Sequence, residues 1–161
     1  MDQLDRDLIK LLQKDARTSF TDIAEELGKP DTTIHFRTKR LKSSNVVTRF
    51  SALVRPEAMG YNISGLAKIE IGGHILPDIS KNRTDSFAEE LAQEEHCLWV
   101  AVDTEPMTIY ALILAKDEKS LENRVENLRK SPDVVRVSLN LLKSVVKGWE
   151  LSGKPIQRDE E

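Results

Sequence analysis

Apolar residues in the first 45 positions recur at the spacing of an α-helix in three separate stretches. Polar residues stand between them, which is typical of helices that each bury one face. Asp5 suits the helix dipole in the first turn of the first stretch, Gly28 closes the second at the usual left-handed exit, and Asp31 can cap free backbone donors of the third. The first two stripes are Leu4, Leu8, Leu11 and Leu12, then Phe20, Ile23, Ala24 and Leu27, and in the third stretch one side of the helix holds Ile34, Arg37, Thr38 and Leu41, of which Ile34 and Leu41 can pack on the other helices.

From residue 62 the pattern changes to strands separated by helices. GLAKIEI predicts a first strand, CLWVAV and TIYALILA follow as two strands around the turn-like DTEPM, and VVRVSLNLLKSVVK forms a long last strand. The stretch SFAEELAQEE predicts a helix that starts with the capping-box spacing of Ser86 and Glu89, and Leu121, Val125 and Leu128 mark a second helix. The resulting order is βαββαβ, the ferredoxin-like arrangement.

Between the two patterns lies VVTRFSALV, rich in β-branched and apolar residues and followed by Arg55 and Pro56. It predicts an extended connector with a turn near Gly60. The chain is therefore predicted to be an α+β protein in four parts. These are a helix-turn-helix domain at residues 1–45, an extended linker at 46–61, a ferredoxin-like βαββαβ sandwich domain at 62–150 and a flexible tail at 151–161.

The strand TIYALILA is apolar at nearly every position, so both of its faces favour burial. Two helices on one face of a four-stranded sheet leave the opposite face uncovered. A second copy of the same sheet is the simplest cover, which predicts a homodimer. Shielding by the connector or by the tail is the alternative.

The composition is that of a globular protein, with 161 residues, 39% apolar content and a net charge of -3. Residues 1–60 carry a net charge of +2 and residues 61–161 a net charge of -5. Cys97 is the single cysteine, so neither an intrachain disulfide nor a cysteine-based metal site is expected. No apolar run reaches the roughly 18 residues of a membrane span, and the N-terminus is charged, so we expect a cytoplasmic protein without a membrane, metal or cofactor partner.

The third helical stretch, within KPDTTIHFRTKRLK, combines basic side chains, hydroxyl groups and an aromatic ring on its outward side. It follows a helix and the short turn Gly28-Lys29-Pro30, which is helix-turn-helix geometry, and a helix of this width fits the DNA major groove. We therefore expect contacts with double-stranded DNA. The candidate residues are Lys29, Thr32, Thr33, His35, Phe36, Arg37, Lys39 and Arg40.

These residues admit ordinary structural roles as well. Phe36 can touch a thymine methyl or a base edge, or it can pack against the first helix or a partner subunit. His35 can donate to a guanine or a phosphate, or lie on the surface without a ligand. Arg37 points inward or sideways, so it either braces helix ends or reaches a phosphate. The remaining basic side chains either contact phosphates or form a solvated helix face.

The motifs LDRDLIKLLQKDAR, DIAEELG and TTIHFRTKRL occur in an order and spacing that resemble the Lrp/AsnC family of bacterial and archaeal transcription regulators. The resemblance covers nearly the whole chain, because that family joins a helix-turn-helix through an extended linker to a βαββαβ effector and oligomerisation domain. It implies a non-enzymatic dimer, often assembled into tetramers or octamers, that binds DNA and responds to amino acids.

The chain departs from the family pattern at several positions. Pro30 stands where Ser is usual and Asn45 where Gly is usual, although Asn tolerates the left-handed conformation. A Gly-Asp-Tyr-Asp turn is common where this chain has residues 105–108, and Val137 and Leu139 replace threonines. Asp103 or Glu105 could still accept an effector ammonium, so the effector is either atypical or absent. The candidate effector residues are Asp103, Thr104, Glu105 and Thr108.

The leading hypothesis is a sequence-specific transcription regulator whose dimer inserts two copies of the third helix into successive major grooves. Siroheme decarboxylases also look like this family, and His74 or His96 would then serve an enzyme acting on a tetrapyrrole. An architectural DNA-binding protein without an effector is the third hypothesis.

Overall fold

A computed structural model describes residues 1–72 and 77–145, and of Pro77 only the backbone. The described residues form two compact units, Met1–Leu53 and Val54–Ser144. The predicted tail at 151–161, the end of the predicted βαββαβ domain at 146–150, and His74 lie outside the described residues. Between residues 46 and 61 the chain holds a 3-10 helix, Pro56–Met59, and no strand.

The first unit contains the three predicted helices, α1 (Gln3–Lys14), α2 (Phe20–Leu27) and α3 (Asp31–Ser43). Asp2 and Asp5 form a reciprocal capping box at the start of α1. Gly28 ends α2 at a φ of 60°, the left-handed conformation predicted for it. The helices pack around one apolar cluster formed by Leu8, Leu12, Ile23, Ala24, Ile34 and Leu41.

The start of α3 differs from the prediction. Pro30 occupies the capping position, with a φ of -62° and a ψ of 143°, and supplies no side-chain hydrogen bond. Asp31 is already the first helical residue, so its carboxylate does not cap the helix but accepts a hydrogen bond from Thr21 Oγ1 at 2.9 Å. The prediction that Asp31 caps α3 was therefore wrong, because proline at that position provides the extended backbone geometry itself.

The second unit is the predicted ferredoxin-like fold. Its elements are β1 (Ile63–Ile71), α4 (Pro77–Leu91), β2 (Cys97–Val102), β3 (Thr108–Ala115), α5 (Glu118–Arg129) and β4 (Val134–Leu142). The sheet is antiparallel in the order β2-β3-β1-β4, with Ala67 opposite both Ala111 and Leu139. Alternate residues of β1, β3 and β4 join Ala88, Leu91, Leu121 and Val125 of the two helices in one apolar core.

Helix α4 begins at Pro77, nine residues before Ser86, so the predicted start at Ser86 was wrong. The apolar pattern does not predict the first part of the helix, because buried positions there hold residues with hydroxyl groups. Ser80 and Thr84 are both buried, and the Thr84 hydroxyl donates to the Ser80 carbonyl at 2.8 Å. The last strand ends at Leu142, and the following Lys143–Val145 are not in a strand.

The sheet face opposite the helices carries the alternate set of residues. Strand register places Leu66, Leu112 and Leu114 there, with Trp99 opposite Leu112 on the neighbouring strand. We call these four residues the apolar open face, because the two helices leave this face uncovered, although Leu112 and Leu114 on it are buried within the chain. Strand β3 is buried at every position except Tyr110, which is partly buried, as its continuous apolar sequence predicts.

Candidate nucleic-acid interface

Helix α3 divides cleanly into an inward and an outward side. Ile34, Thr38 and Leu41 are buried against the other helices. Thr32 and Lys39 are exposed on the outward side, and the side chain of Phe36 is 64% exposed between them. The interpretation that Phe36 packs on α1 is thus wrong within this chain, and the exposed ring is available to a ligand or another subunit.

Two of the predicted DNA-binding arginines are held by carboxylates of α1. Arg37 Nη1 donates to Asp5 Oδ1 at 3.0 Å and also forms an ion pair with Asp2. Arg40 Nη2 donates to both oxygens of Asp5, at 2.9 and 2.7 Å. We call Asp2, Asp5, Arg37 and Arg40 the acid–arginine cluster, and it fixes the rotation and position of α3 on α1.

The Asp5 carboxylate is 1% exposed, whereas the side chains of Arg37 and Arg40 are 22% and 47% exposed. A buried carboxylate is stable only when its oxygens are satisfied, and here the Asp2 backbone N–H, at 2.9 Å, adds to the two guanidinium groups. Arg40 contacts Asp5 through one nitrogen, so the rest of its planar group faces solvent and can still meet a phosphate. Arg37 braces α3 against α1, which is one of the two roles that its inward or sideways position left open.

The cluster shifts the acidities of both aspartates. The hydrogen bond from Arg37, with the Asp5 backbone N–H, lowers the pKa of Asp2 to about 2. Burial raises the pKa of Asp5, but the Asp2 backbone N–H, the Arg37 hydrogen bond and the Arg40 charge outweigh it and leave that pKa below its ordinary value. Both carboxylates are therefore anionic at neutral pH.

Other predicted contacts lie around α3. The His35 ring meets the Phe20 ring edge to face, with centroids 5.7 Å apart, so α2 orients it. Lys29 is exposed in the turn, and its backbone N–H donates to the Ala24 carbonyl at 2.9 Å. Thr33 is half-buried. In the described part of the chain, no hydrogen bond or ion pair engages the side chains of Thr32 or Lys39.

Sequence reasoning missed Asp2, and it assigned Asp5 only to the helix dipole. The available signal was the spacing: two acids three residues apart in the first turn of α1, and two arginines three residues apart at the inner edge of α3. Each pair lies on one helix face. Only packing of α1 against α3 shows that the two faces meet.

The predicted effector residues surround the turn between β2 and β3. Asp103 Oδ1 accepts hydrogen bonds from Thr104 Oγ1 and the Glu105 backbone N–H, at 3.3 and 3.2 Å, and the latter lowers the pKa of Asp103. Glu105 forms an ion pair with Lys68 at 3.3 Å, which raises the Lys68 pKa. Thr108 is buried at the start of β3. Three of the four residues thus lie at one turn, and Thr108 begins the strand that follows it.

Several other site types find no support in residues 1–72 and 77–145. No group of three or more histidine, cysteine or acidic residues there could hold a metal ion. No helix in these ranges is long and apolar enough to cross a membrane. His96 lies beside Glu94 at 3.6 Å, and burial, with the Arg124 charge, lowers its pKa.

Comparison with known proteins identifies the domain type of the helical unit. Residues 1–42 match the AsnC-type helix-turn-helix domain. An uncharacterised helix-turn-helix-type transcriptional regulator of Pyrococcus horikoshii is 30% identical over 158 residues, which cover 95% of this chain and 94% of that protein. The chain belongs to the Lrp/AsnC family of transcriptional regulators.

Solved structures of the Lrp/AsnC family share both units of this chain. An AsnC-family regulatory protein of Pyrococcus furiosus has a TM-score of 0.74 at 28% identity and covers 92% of this chain and 93% of its own. A regulator of Neisseria meningitidis, determined as an L-Met complex, has a TM-score of 0.80 at 17% identity, with coverage of 92% and 93%. At that identity the second likeness concerns the fold alone.

Two departures from the Lrp/AsnC pattern flank α3, and the backbone accommodates both. Pro30 takes the extended conformation that a helix cap requires. Asn45, in the position where this family usually has glycine, adopts a φ of 58°, the left-handed conformation that asparagine tolerates. The backbone before and after α3 therefore has the geometry expected of the family.

Proposed function

We propose that this Lrp/AsnC-family chain is a sequence-specific DNA-binding transcription regulator that acts as a homodimer. Each subunit inserts the outward side of α3 into a major groove, and the two grooves face the same side of a pseudo-palindromic site. Phosphate contacts come from Lys29, Lys39 and Arg40, and base contacts from Thr32, Thr33 and Phe36. Arg37 acts from within the cluster, and His35 contacts the DNA from its position against α2.

The observation that carries this proposal is the side-chain sorting on α3. An exposed, basic and hydroxyl-rich side lies on a helix whose opposite side is anchored by apolar packing and by a buried carboxylate. Anchoring matters because side chains that read bases must be held in a fixed register relative to the duplex.

Dimerisation is proposed to occur through the apolar open face. Leu66, Leu112, Leu114 and Trp99 lie on one face of a sheet whose other face is covered by helices. Trp99 is exposed and Leu66 is half-buried on this face, whereas Leu112 and Leu114 are already buried within the single chain. A second copy related by a twofold axis presents the same surface, so the contact is self-complementary in shape and polarity. The enzymatic alternative receives no further support, because the curated relatives are named transcriptional regulators.

The direct test is the salt dependence of DNA binding. DNA upstream of the protein's own gene would be footprinted, and affinity measured between about 50 and 200 mM salt. A cationic recognition surface gives a steep fall in affinity with salt, and Lys39→Gln should flatten the slope by about one phosphate equivalent per subunit. Lys119→Gln removes the same charge from α5 in the sheet unit and should leave both affinity and slope unchanged.

Absence of a footprint on a random-sequence duplex library, as well as on the upstream DNA, would refute the proposal. Equal effects of Lys39→Gln and Lys119→Gln would also contradict it, since α3 would then not be the contacting surface.

An amino-acid effector is proposed at the turn between β2 and β3. Met107 adopts a φ of 63° there, a left-handed conformation that costs a non-glycine residue about 1 kcal/mol. The turn aligns Asp103 and Glu105 near Thr104, so an ammonium group would find anionic acceptors. The L-Met complex of the Neisseria meningitidis regulator makes amino acids the ligand class to test first.

Thermal-shift screening against the amino acids tests this site. A ligand specific for the folded state raises the melting temperature in a concentration-dependent manner. Asp103→Asn should abolish the rise, whereas Asp117→Asn, which alters the cap of α5 in the same unit, should preserve it. If no amino acid raises the melting temperature, the chain acts without this class of effector.

A further inference from the structure

Within α3, the contacts described above leave one large side chain without a structural task. The two arginines are held by α1, and His35 lies against Phe20. Phe36 is 64% exposed and lies in the middle of the outward side, one helical turn after Thr32 and just under one turn before Lys39. A phenyl ring in this position contributes little to the stability of the isolated unit, because most of its apolar area remains in water.

The chemistry of the ring restricts what it can recognise in a major groove. Phenylalanine neither donates nor accepts a conventional hydrogen bond, whereas the exposed edges of guanine, cytosine and adenine there carry donors and acceptors. The thymine C5-methyl is the apolar group on these edges. Burying that methyl against the ring removes apolar surface of both partners from water, while facing a polar base edge with the ring would leave that edge unsatisfied.

The neighbouring residue supports the same specificity. Thr32 lies at i-4 from Phe36, so the two side chains share one stripe of the helix, and the threonine contributes a second methyl group. The cationic neighbours on the outward side lie toward the C-terminal end of α3, where Lys39 and the free part of Arg40 meet phosphates instead of bases. The apolar contact is thus confined to the N-terminal half of the helix, which is the part that approaches base edges in helix-turn-helix complexes.

We propose that Phe36 is a specificity-determining residue that reads the 5-methyl group of thymine, with the Thr32 methyl beside it. This inference rests on the proposed DNA-binding function. It assigns the ligand class of the site: A·T base pairs recognised through their methyl group and not through hydrogen bonds alone.

Replacing thymine by deoxyuridine tests the assignment, because this change removes the methyl and keeps the base pair and its hydrogen-bonding edge. Duplexes would be enriched from a random library by the full-length protein, then re-amplified with either dTTP or dUTP. We expect affinity for the uracil duplex to fall about fourfold per contacted methyl, and roughly 15-fold when both subunits make one contact. Phe36→Ala should bind both duplexes with nearly equal affinity.

Three controls separate the methyl contact from other effects. Phe36→Leu keeps an apolar side chain and should retain most of the thymine preference. Lys39→Gln should weaken binding to both duplexes while the thymine-to-uracil ratio stays that of the wild type. Melting temperature and mass by light scattering should be unchanged in Phe36→Ala, since a role of the ring in folding or subunit contact would alter one of them.

The possible failures are distinguishable. Salt-sensitive binding to both duplexes with no thymine preference would overturn the methyl assignment and leave the DNA-binding proposal standing. The same holds if Phe36→Ala keeps the wild-type ratio, since the preference would then come from the shape of the DNA. A library from which no duplex is enriched would overturn the DNA-binding proposal and the methyl assignment with it.

Discussion

The buried cores of the helical unit and the sheet unit differ in which polar groups they contain and in how those groups are paired. In the sheet unit, the helices and the covered face of the sheet meet through aliphatic side chains, and the buried Thr84 hydroxyl has its hydrogen bond. In the helical unit, a small apolar cluster is flanked by a buried aspartate with two arginines and by the Thr38 hydroxyl, which is buried without a partner in the described chain.

This difference follows from what each unit must specify. Apolar packing stabilises a fold strongly but tolerates small shifts of one helix on another, whereas hydrogen-bonded ion pairs impose distances and directions. A recognition helix needs direction, since its exposed side chains act at base edges. A sheet that is proposed to join two subunits needs a large contact area.

Leu66→Asp should separate the subunits. A charge in the middle of the apolar open face would be buried without a partner in the dimer, so the mass in solution should fall to that of the monomer. Affinity for a two-half-site duplex should then drop about 100-fold or more, because the second α3 is no longer tethered to the first. Light scattering and DNA titration measure the two effects.

Leu141→Asp is the matched control for Leu66→Asp. Leu141 is exposed and pairs with Gly65, so it lies on the helix-covered side of the sheet at its edge. This variant should remain dimeric. A dimeric and folded Leu66→Asp protein would contradict the assignment of the open face as the subunit contact.

Asp5→Asn should destabilise the helical unit by about 2–3 kcal/mol, the range for hydrogen bonds to charged groups that are lost from a buried site. Solvent access of Arg40 keeps the loss at this level, because the released guanidinium can turn into water. Asp7→Asn on the same helix removes a surface ion pair with Lys10, keeps an oxygen that can accept the Gln3 hydrogen bond, and should change stability by less than about 0.5 kcal/mol. Urea unfolding followed by helical circular dichroism distinguishes the two.

The acid–arginine cluster also predicts a pH dependence. A carboxylate whose pKa is lowered on folding stabilises the fold above its unfolded pKa, and this stabilisation is lost as the pH falls through the folded value. For Asp2 that window runs from the ordinary 3.8 down to about 2, and the lowered pKa of Asp5 acts in the same direction. Melting of the helical unit should therefore shift to lower temperature between pH 4 and 2, and less so in Asp5→Asn. An equal shift in both proteins would contradict the assignment.

The periodicity of apolar residues was sufficient for most of the fold. The bounds of β2 and β3 and the exit of α2 at Gly28 coincide with the predictions, because continuous apolar runs and glycine in a left-handed conformation are local signals. The start of α4 was missed, since Ser80 and Thr84 occupy core positions that usually hold aliphatic residues. Their burial depends on the packing of the helix on the sheet, which no local pattern records.

The sequence was sufficient to predict the exposed side of α3, but not the hydrogen bonds and ion pairs of the acid–arginine cluster. Alternation along α3 correctly separated Ile34 and Leu41 from the exposed Phe36. The pairing of Asp5 with Arg37 and Arg40 joins residues 32 and 35 positions apart, and it depends on how α1 packs on α3. The predicted DNA and effector contacts of individual residues remain predictions that the variants above test.

Thr38→Val should raise the stability of the helical unit by about 1 kcal/mol. The Thr38 hydroxyl oxygen is buried and lacks a hydrogen-bond partner among the described residues, so replacing it by a methyl group removes a desolvation cost without changing shape or β-branching. Thr84→Val makes the same change in the sheet unit, where the hydroxyl donates to Ser80, and should lower stability by about 1 kcal/mol. Urea unfolding of both variants compares the two units directly. A loss of stability in Thr38→Val would mean that its hydroxyl is satisfied in solution, and the contrast between the two buried cores would then rest on the acid–arginine cluster alone.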